Sequence, residues 1–166
     1  MHHFQITEHI RLRFAEKKDI ALLLEFIRKL AEYEHLLDQV EATEAGLRQA
    51  VLEDKSVEVI FCEYAGKPVG FALFFTNFST FLGKPGIYIE DLFVLPEFRG
   101  KGLGKIILAF IAELAVERNC GRLELACLDW NEPSIGFYKN QGAQPLSEWT
   151  SYRVEGKRLK ALAHGW

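Results

Sequence analysis

Residues 9–15 alternate apolar and polar side chains, the period of a strand with one buried face. Ile20, Leu23, Leu24, Ile27 and Leu30 then recur at helical spacing, so residues 17–33 read as an amphipathic helix. Thr43 suits the N-cap of a second, shorter helix running through Leu47 and Val51. Residues 57–64 and 69–77 are strand-like runs separated by Ala65-Gly66-Lys67-Pro68, a turn signal that predicts a hairpin. Residues 78–86 contain Gly83, Pro85 and Gly86 and read as a mobile loop; residues 88–94 read as the next strand, stopped by Pro96. Leu103, Ile106, Ile107, Phe110, Ile111, Leu114 and Ala115 share one helix face, with an end expected at Asn119-Cys120-Gly121. Residues 122–128 predict a strand, Pro133 opens a helix reaching Asn140, and residues 144–163 are expected to supply one or two final strands around Glu155-Gly156. The order is βαα-βββ-αβ-αβ(β), with no repeat or linker. It predicts an α/β fold, a single domain over residues 1–166 with a mixed sheet and its ligand at the strand ends.

Composition narrows the partners. The chain has 166 residues, 49% of them hydrophobic, ample for one core. A net charge of -3 and a pI near 6.0 argue against bulk nucleic-acid binding and are easier to reconcile with a cationic substrate. No apolar run approaches the length of a membrane span, and residues 1–5 lack the basic and apolar regions of a signal peptide, so a cytoplasmic protein without membrane attachment is expected. Cys62, Cys120 and Cys127 leave one thiol unpaired under any disulfide scheme. The five histidines make no zinc pattern, so no metal is expected.

The chemistry-bearing segment is residues 90–105, EDLFVLPEFRGKGLGK, an apolar strand that runs through a short turn into a glycine-spaced basic loop opening a helix. Gly100, Gly102 and Gly104 let the backbone approach an anion. Arg99, Lys101 and Lys105 add positive charge, and a helix N-terminus directs its unpaired N–H groups there, so a phosphate-bearing ligand is expected. Gly104-Lys105 is followed by Ile106 and not by Ser or Thr, which excludes a P-loop. The dinucleotide spacing Gly-x-Gly-x-x-Gly fails in both registers, its third glycine falling on Lys105 or Ile107. Arg99 to Gly104 does fit Arg/Gln-x-x-Gly-x-Gly/Ala, and resembles the coenzyme A pyrophosphate loop of the GNAT superfamily of N-acetyltransferases.

Three separated segments sharpen that resemblance: residues 29–34 (KLAEYE), 88–94 (YIEDLFV) and 129–139 (DWNEPSIGFYK). In order and spacing they are similar to the diamine acetyltransferases, the spermidine/spermine and thialysine acetyltransferases, over nearly the whole chain. The resemblance implies a GNAT-like domain with a mixed, mostly antiparallel sheet and helices on both faces. Acetyl-CoA is implied as cosubstrate, a small cationic amine as acceptor, and a homodimer as the assembly. It further implies that Leu92, Phe93 and Val94 hold the pantetheine arm by strand-like hydrogen bonds. Gly100, Lys101, Gly102, Leu103, Gly104 and Lys105 would hold the pyrophosphate, with Asn131 and Ser134 on other polar atoms of the cofactor.

An aliphatic amine with a pKa of about 10.4 must lose a proton before it attacks a thioester. By resemblance Glu90 is the general base, working through a water, and Tyr138 the general acid that also contacts the cofactor thiol. An N–H near Leu92, freed by a bulge, would stabilise the developing oxyanion. Asp91 points to the opposite face of an ideal strand and joins Glu90 only across such a bulge. Tyr33 and Glu34 match a substrate-binding segment, and Glu124 is a candidate for a second ammonium group. The chain carries Ser147 and Glu148 where mammalian-type enzymes have a tandem acidic pair, and Phe81 where the family has a loop tryptophan, so the acceptor stays open between a polyamine, a diamine, a thialysine-like molecule and a peptide amine. A non-catalytic acetyl-CoA sensor, or a dimerising module built on Trp149, Tyr152 and Trp166, are the readings of other classes.

Overall fold

The computed structural model describes residues 3–165, which leaves Met1, His2 and Trp166 outside the described residues. The chain divides into two compact units, one up to Ala126 and one from Cys127 onward. The first holds a six-stranded sheet whose spatial order follows the sequence: β1 (His3–Gln5), β2 (Ile10–Phe14), β3 (Glu58–Tyr64), β4 (Lys67–Ser79), β5 (Lys84–Val94) and β6 (Leu123–Leu125). Every neighbouring pair is antiparallel except β5 and β6, which run parallel. The connection between those two is α3 (Leu103–Glu117), as a parallel pair requires a crossover.

Side-chain alternation gives the sheet two apolar faces. On one, Leu12, Ile60, Val69, Phe74, Ile87, Ile89 and Val94 pack with Leu103, Ile107, Phe110 and Ile111 of α3. On the other, Val59, Phe61, Phe71, Leu73 and Phe93 pack with Leu23, Phe26 and Leu30 of α1 (Ile20–Tyr33). The expected mixed, mostly antiparallel sheet with helices on both faces is therefore observed. Arg13 projects toward the α1 face, where an arginine tolerates burial because its charge is matched. Its Nη1 and Nη2 donate to Asp19 at 2.6 and 2.9 Å, and its Nε donates to Glu63 at 2.6 Å.

Local signals hold where they rest on backbone chemistry. Thr43 caps α2 (Glu44–Arg48) by accepting the Gly46 N–H at 3.1 Å, and a π-helical turn, Gln49–Glu53, prolongs it through Val51. Ala65 and Gly66 both take positive φ in the β3–β4 turn. Asn119 (φ 55) ends α3, with Cys120 N–H bonded back to Ala115 O at 2.8 Å.

Three expectations are corrected, and one strand is added. Most of residues 78–86 is not a loop: β4 runs to Ser79 and β5 starts at Lys84, so the connection is a short turn whose flanking residues pair across the hairpin. The strand expected over 122–128 shrinks to Leu123–Leu125. Residues 156–163, expected in a final strand, form α5 (Gly156–Ala163), because Lys157, Arg158, Leu159, Lys160, Ala161 and Leu162 are all strong helix formers. Strand β1 was not foreseen; it pairs His3–Gln5 with Arg11–Arg13, a contact that three residues of sequence do not announce.

The second unit holds α4 (Glu132–Asn140) and α5. Asn131 caps α4, its Oδ1 accepting the Ser134 N–H at 3.3 Å, and Pro133 sits in the first turn.

Candidate active site

The organising feature of the site is a bulge. Leu73 of β4 faces Asp91 of β5, but the next residue, Phe74, faces Ile89, so Glu90 is an extra residue in β5. Ile87 and Ile89 point to the α3 face, whereas Asp91, opposite Leu73, and Phe93 belong to the α1 face. The bulge turns Glu90 onto that same face, so the two adjacent carboxylates share it, against the alternation of a regular strand. The condition that sequence reasoning attached to their pairing is met.

The same bulge switches the direction of the backbone polar groups. Before it, the Ile87 N–H donates to Arg122 O, just ahead of β6, at 3.1 Å. After it, the Leu95 N–H donates to Val69 O of β4 at 2.9 Å, so odd-numbered residues face β4 and Leu92 and Val94 direct their N–H and C=O groups away from β4. β6 pairs no further than Ile89, which leaves that edge beyond the end of the β6 ladder. An extended amide chain is the chemical complement of such an edge. The Val94 carbonyl meanwhile accepts the Arg99 Nε–H at 3.0 Å.

Past Val94 the chain makes a 3-10 turn, Pro96–Phe98, and enters the glycine loop. Gly100 and Gly102 both have φ 77, and a Cβ at either would meet nothing within 4 Å, so glycine is required there by conformation and not by space. Gly102 is the N-cap of α3 and offers no side-chain cap, so the first-turn N–H groups of α3 are available to an anion. Gly104 lies inside the helix, and Lys101 and Lys105 are exposed. Arg99 departs from expectation. Its guanidinium stacks 4.3 Å from the Tyr33 ring and 5.5 Å from the Phe93 ring, which ties the loop to the last turn of α1.

That turn carries Tyr33 and Glu34, and it is ended by His35 at φ 60 with Leu36 N–H bonded to Ala31 O. The Asp91 carboxyl is pushed up to about 7, by burial first, then by the charge of Glu90 and then by that of Glu34. Burial also raises the Glu34 carboxyl. Three carboxylates from two elements thus act on one another, which disfavours their joint ionisation and rewards a bound cation. Among the described residues no group of His, Cys, Asp or Glu is arranged to hold a metal ion. Glu124 reaches the same face, in register with Tyr88, but it is engaged: Asn77 Nδ2 donates to it at 2.8 Å, and Arg122 Nε lies 2.9 Å away. The spacing of Asn77 and Arg122 from Glu124 carries no motif, so this contact is not legible in the sequence.

Tyr138, Asn131 and Ser134 lie on or at α4 in the second unit. Tyr138 is half-buried with Phe137 edge-on at 5.1 Å, and Asn131 and Ser134 bond each other in the cap.

The sequence matches the Acetyltransferase (GNAT) family over residues 22–143. It is 38% identical to the thialysine N-epsilon-acetyltransferase of Bos taurus, covering 93% of this chain and 97% of that protein. It is 30% identical to an L-ornithine N5-acetyltransferase of Arabidopsis thaliana, covering 92% and 87%. An integron cassette protein from the mobile metagenome of V. cholerae superposes with a TM-score of 0.79 at 29% identity, covering 95% of this chain and 99% of that one. The bulged strand, its free edge and the glycine loop on α3 agree with these likenesses, and the chain belongs to the GNAT family of acetyltransferases, as an N-acetyltransferase.

Proposed function

We propose that this enzyme moves the acetyl group of acetyl-CoA to a primary amine of a small cationic acceptor, a thialysine-like amino acid or a diamine. The observation that carries the reading is the convergence of Glu34, Glu90 and Asp91 beside the free edge of β5. The residues present fit the cosubstrate: Leu92 offers an outward N–H and C=O and Val94 an outward N–H for the pantetheine arm, the Val94 carbonyl being held by Arg99, with Phe93 packed beneath. Residues 100–105 offer positive-φ glycines, two lysines and a helix N-terminus for the pyrophosphate. Bound there, acetyl-CoA supplies the thioester that the amine attacks.

The chain's own groups must then hold the acceptor and move protons. Tyr33 and the three carboxylates attract and orient the ammonium. Glu90, exposed on the bulge, takes its proton through a water, and Asp91, poised to titrate near neutrality, shares that proton. Tyr138 donates to the departing thiolate, a task that needs contact, because a phenol (pKa about 10) is a weaker acid than a thiol (about 8.5). Asn131 and Ser134 serve first as a helix cap and through it place Tyr138 on α4.

A single domain, a homodimer and a cytoplasmic location belong to the same proposal. The family match running through the division at residue 126 supports the first, and sedimentation tests the second. The function is tested by thiol release from acetyl-CoA with spermidine, putrescine, thialysine, lysine and a short peptide. Turnover of one amine that falls about 100-fold or more in Tyr138→Phe and Glu90→Gln is expected. Wild-type rates in both folded variants would sink the mechanism, and tight cosubstrate binding with no turnover would instead match an acetyl-CoA sensor.

A further inference from the structure

Along the α1 face of β5, away from the glycine loop, lies a second polar cluster that the transfer chemistry does not use. Asn77, Arg122 and Glu124 come from β4, the residue just ahead of β6 and β6 itself. All three share this face, because Leu123 and Leu125 pack on the opposite one and Glu124 is in register with Tyr88. The cluster is built deliberately into the sheet. A Cβ at Gly86 would lie 2.5 Å from Asn77 Oδ1 and 2.9 Å from Arg122 Cγ, so only glycine lets the arginine stem cross β5 toward β4. There Arg122 Nη2 donates to Phe78 O at 3.3 Å.

The protein does not satisfy this cluster by itself. Among the described residues, the buried side-chain polar atoms without a hydrogen bond are Asn77 Oδ1 and Arg122 Nε, and both belong to it. Arg122 Nε lies 2.9 Å from Glu124 Oε2, near enough for charge pairing but off the direction of a hydrogen bond. Buried polar atoms left so are uncommon and call for a partner from outside the chain, a bound water or a ligand.

We propose that Arg122 and Glu124 recognise the α-amino-acid head group of the acceptor, Arg122 taking its carboxylate and Glu124 its α-ammonium. This rests on the acetyltransferase reading and specifies its substrate class. An arginine beside a carboxylate is the mirror of a zwitterion: the fork of the guanidinium matches a carboxylate, and Glu124 matches the adjacent ammonium. A polyamine offers only positive charge and leaves Arg122 repelled. The spacing agrees. Asp91 faces Leu73 on β4, and Asn77 of the cluster lies four residues further along that strand, roughly 14 Å at about 3.4 Å per residue. A five-bond chain between α-carbon and terminal amine projects to roughly 6 Å in its zigzag of about 1.5 Å bonds, the α-carboxylate adds about 2 Å, and hydrogen bonds of about 3 Å at the two ends cover the remainder. The ring pair of Phe75 and Tyr88, 5.3 Å apart, lies between the two ends and suits the apolar middle of such a molecule.

The test compares two ligands that differ by one carboxylate: thialysine and bis(2-aminoethyl) sulfide, its decarboxylated form. Each is titrated calorimetrically into the protein with coenzyme A. Wild type is expected to bind thialysine about 10-fold or more tightly than the diamine, the scale of one charge-assisted bond. Arg122→Gln is expected to abolish that preference, Arg122→Lys to retain part of it, and Glu124→Gln to weaken both ligands. Equal affinities in wild type, no binding of thialysine, or a preference that survives Arg122→Gln overturns the assignment. Arg122→Lys and the wild-type comparison decide the matter if the glutamine variant does not fold. Thiol release with the diamine is read separately, so failure of acetyl transfer is not confused with failure of head-group recognition.

Discussion

A residue's chemistry here is set by neighbours that the sequence does not place beside it. Asp91 is an ordinary aspartate by type, yet burial, Glu90 and Glu34 push its carboxyl up to about 7. Its sign is that of a raised acid: the folded protein holds a proton that the unfolded chain releases near pH 4. Stability of the free protein therefore falls as pH rises from about 4 to about 7, and Asp91→Asn should stabilise it at pH 8, by about 1–3 kcal/mol, in urea denaturation. Function runs the other way, because the ionised form holds the ammonium. The amine kcat/KM should rise through about pH 7 in wild type and lose that limb in Asp91→Asn. A limb that persists in the variant would assign the titration to another group. Glu90 and Asp91 were legible in sequence as candidates, whereas their common face was not, because it depends on a bulge defined by the partner strand.

At the scale of elements, the bulge and the glycine loop do complementary work on one strand. The bulge reverses which residues turn toward β4 and frees the Leu92–Val94 edge; the loop then carries the chain from that edge straight to the N-terminus of α3. Gly102→Ala isolates the second part. Its Cβ would meet nothing within 4 Å, but φ 77 costs an alanine about 1 kcal/mol of stability. Relaxation of the cap should also weaken coenzyme A binding by about 10-fold, read by calorimetry; an unchanged affinity would remove the loop from the phosphate site. The loop was readable from residues 99–104 because a glycine pattern encodes backbone conformation locally. Residues 156–163, expected within a final strand, form α5 for the same local reason, since their side chains favour a helix.

For the molecule as a whole, the sheet is closed on its α1 side by a buried charge network as well as by apolar packing. Arg13 joins Asp19 and Glu63, and Arg11 also binds Glu63. Burial pushes both carboxyls up, but hydrogen bonds and charge from the arginines, with the Glu16 N–H on Asp19, outweigh it and hold both below their usual range. Their contribution is thus present above about pH 4 and is lost as pH falls through the lowered folded values. Arg13→Ala leaves two buried carboxylates without their common partner and should cost about 3–5 kcal/mol, seen as a lower denaturation midpoint at pH 7. A loss under about 1 kcal/mol would show that the network is dispensable. Sequence alone determined what periodicity and local backbone chemistry encode: the amphipathic helices, the glycine loop, the Thr43 cap, the helix opening at Pro133 and the identity of the acidic residues. Only the tertiary structure decided the register that makes Glu90 an extra residue, the stacking of Arg99 on Tyr33, and the meeting of Asn77, Arg122 and Glu124. Those depend on pairings between residues tens of positions apart, which no local pattern specifies.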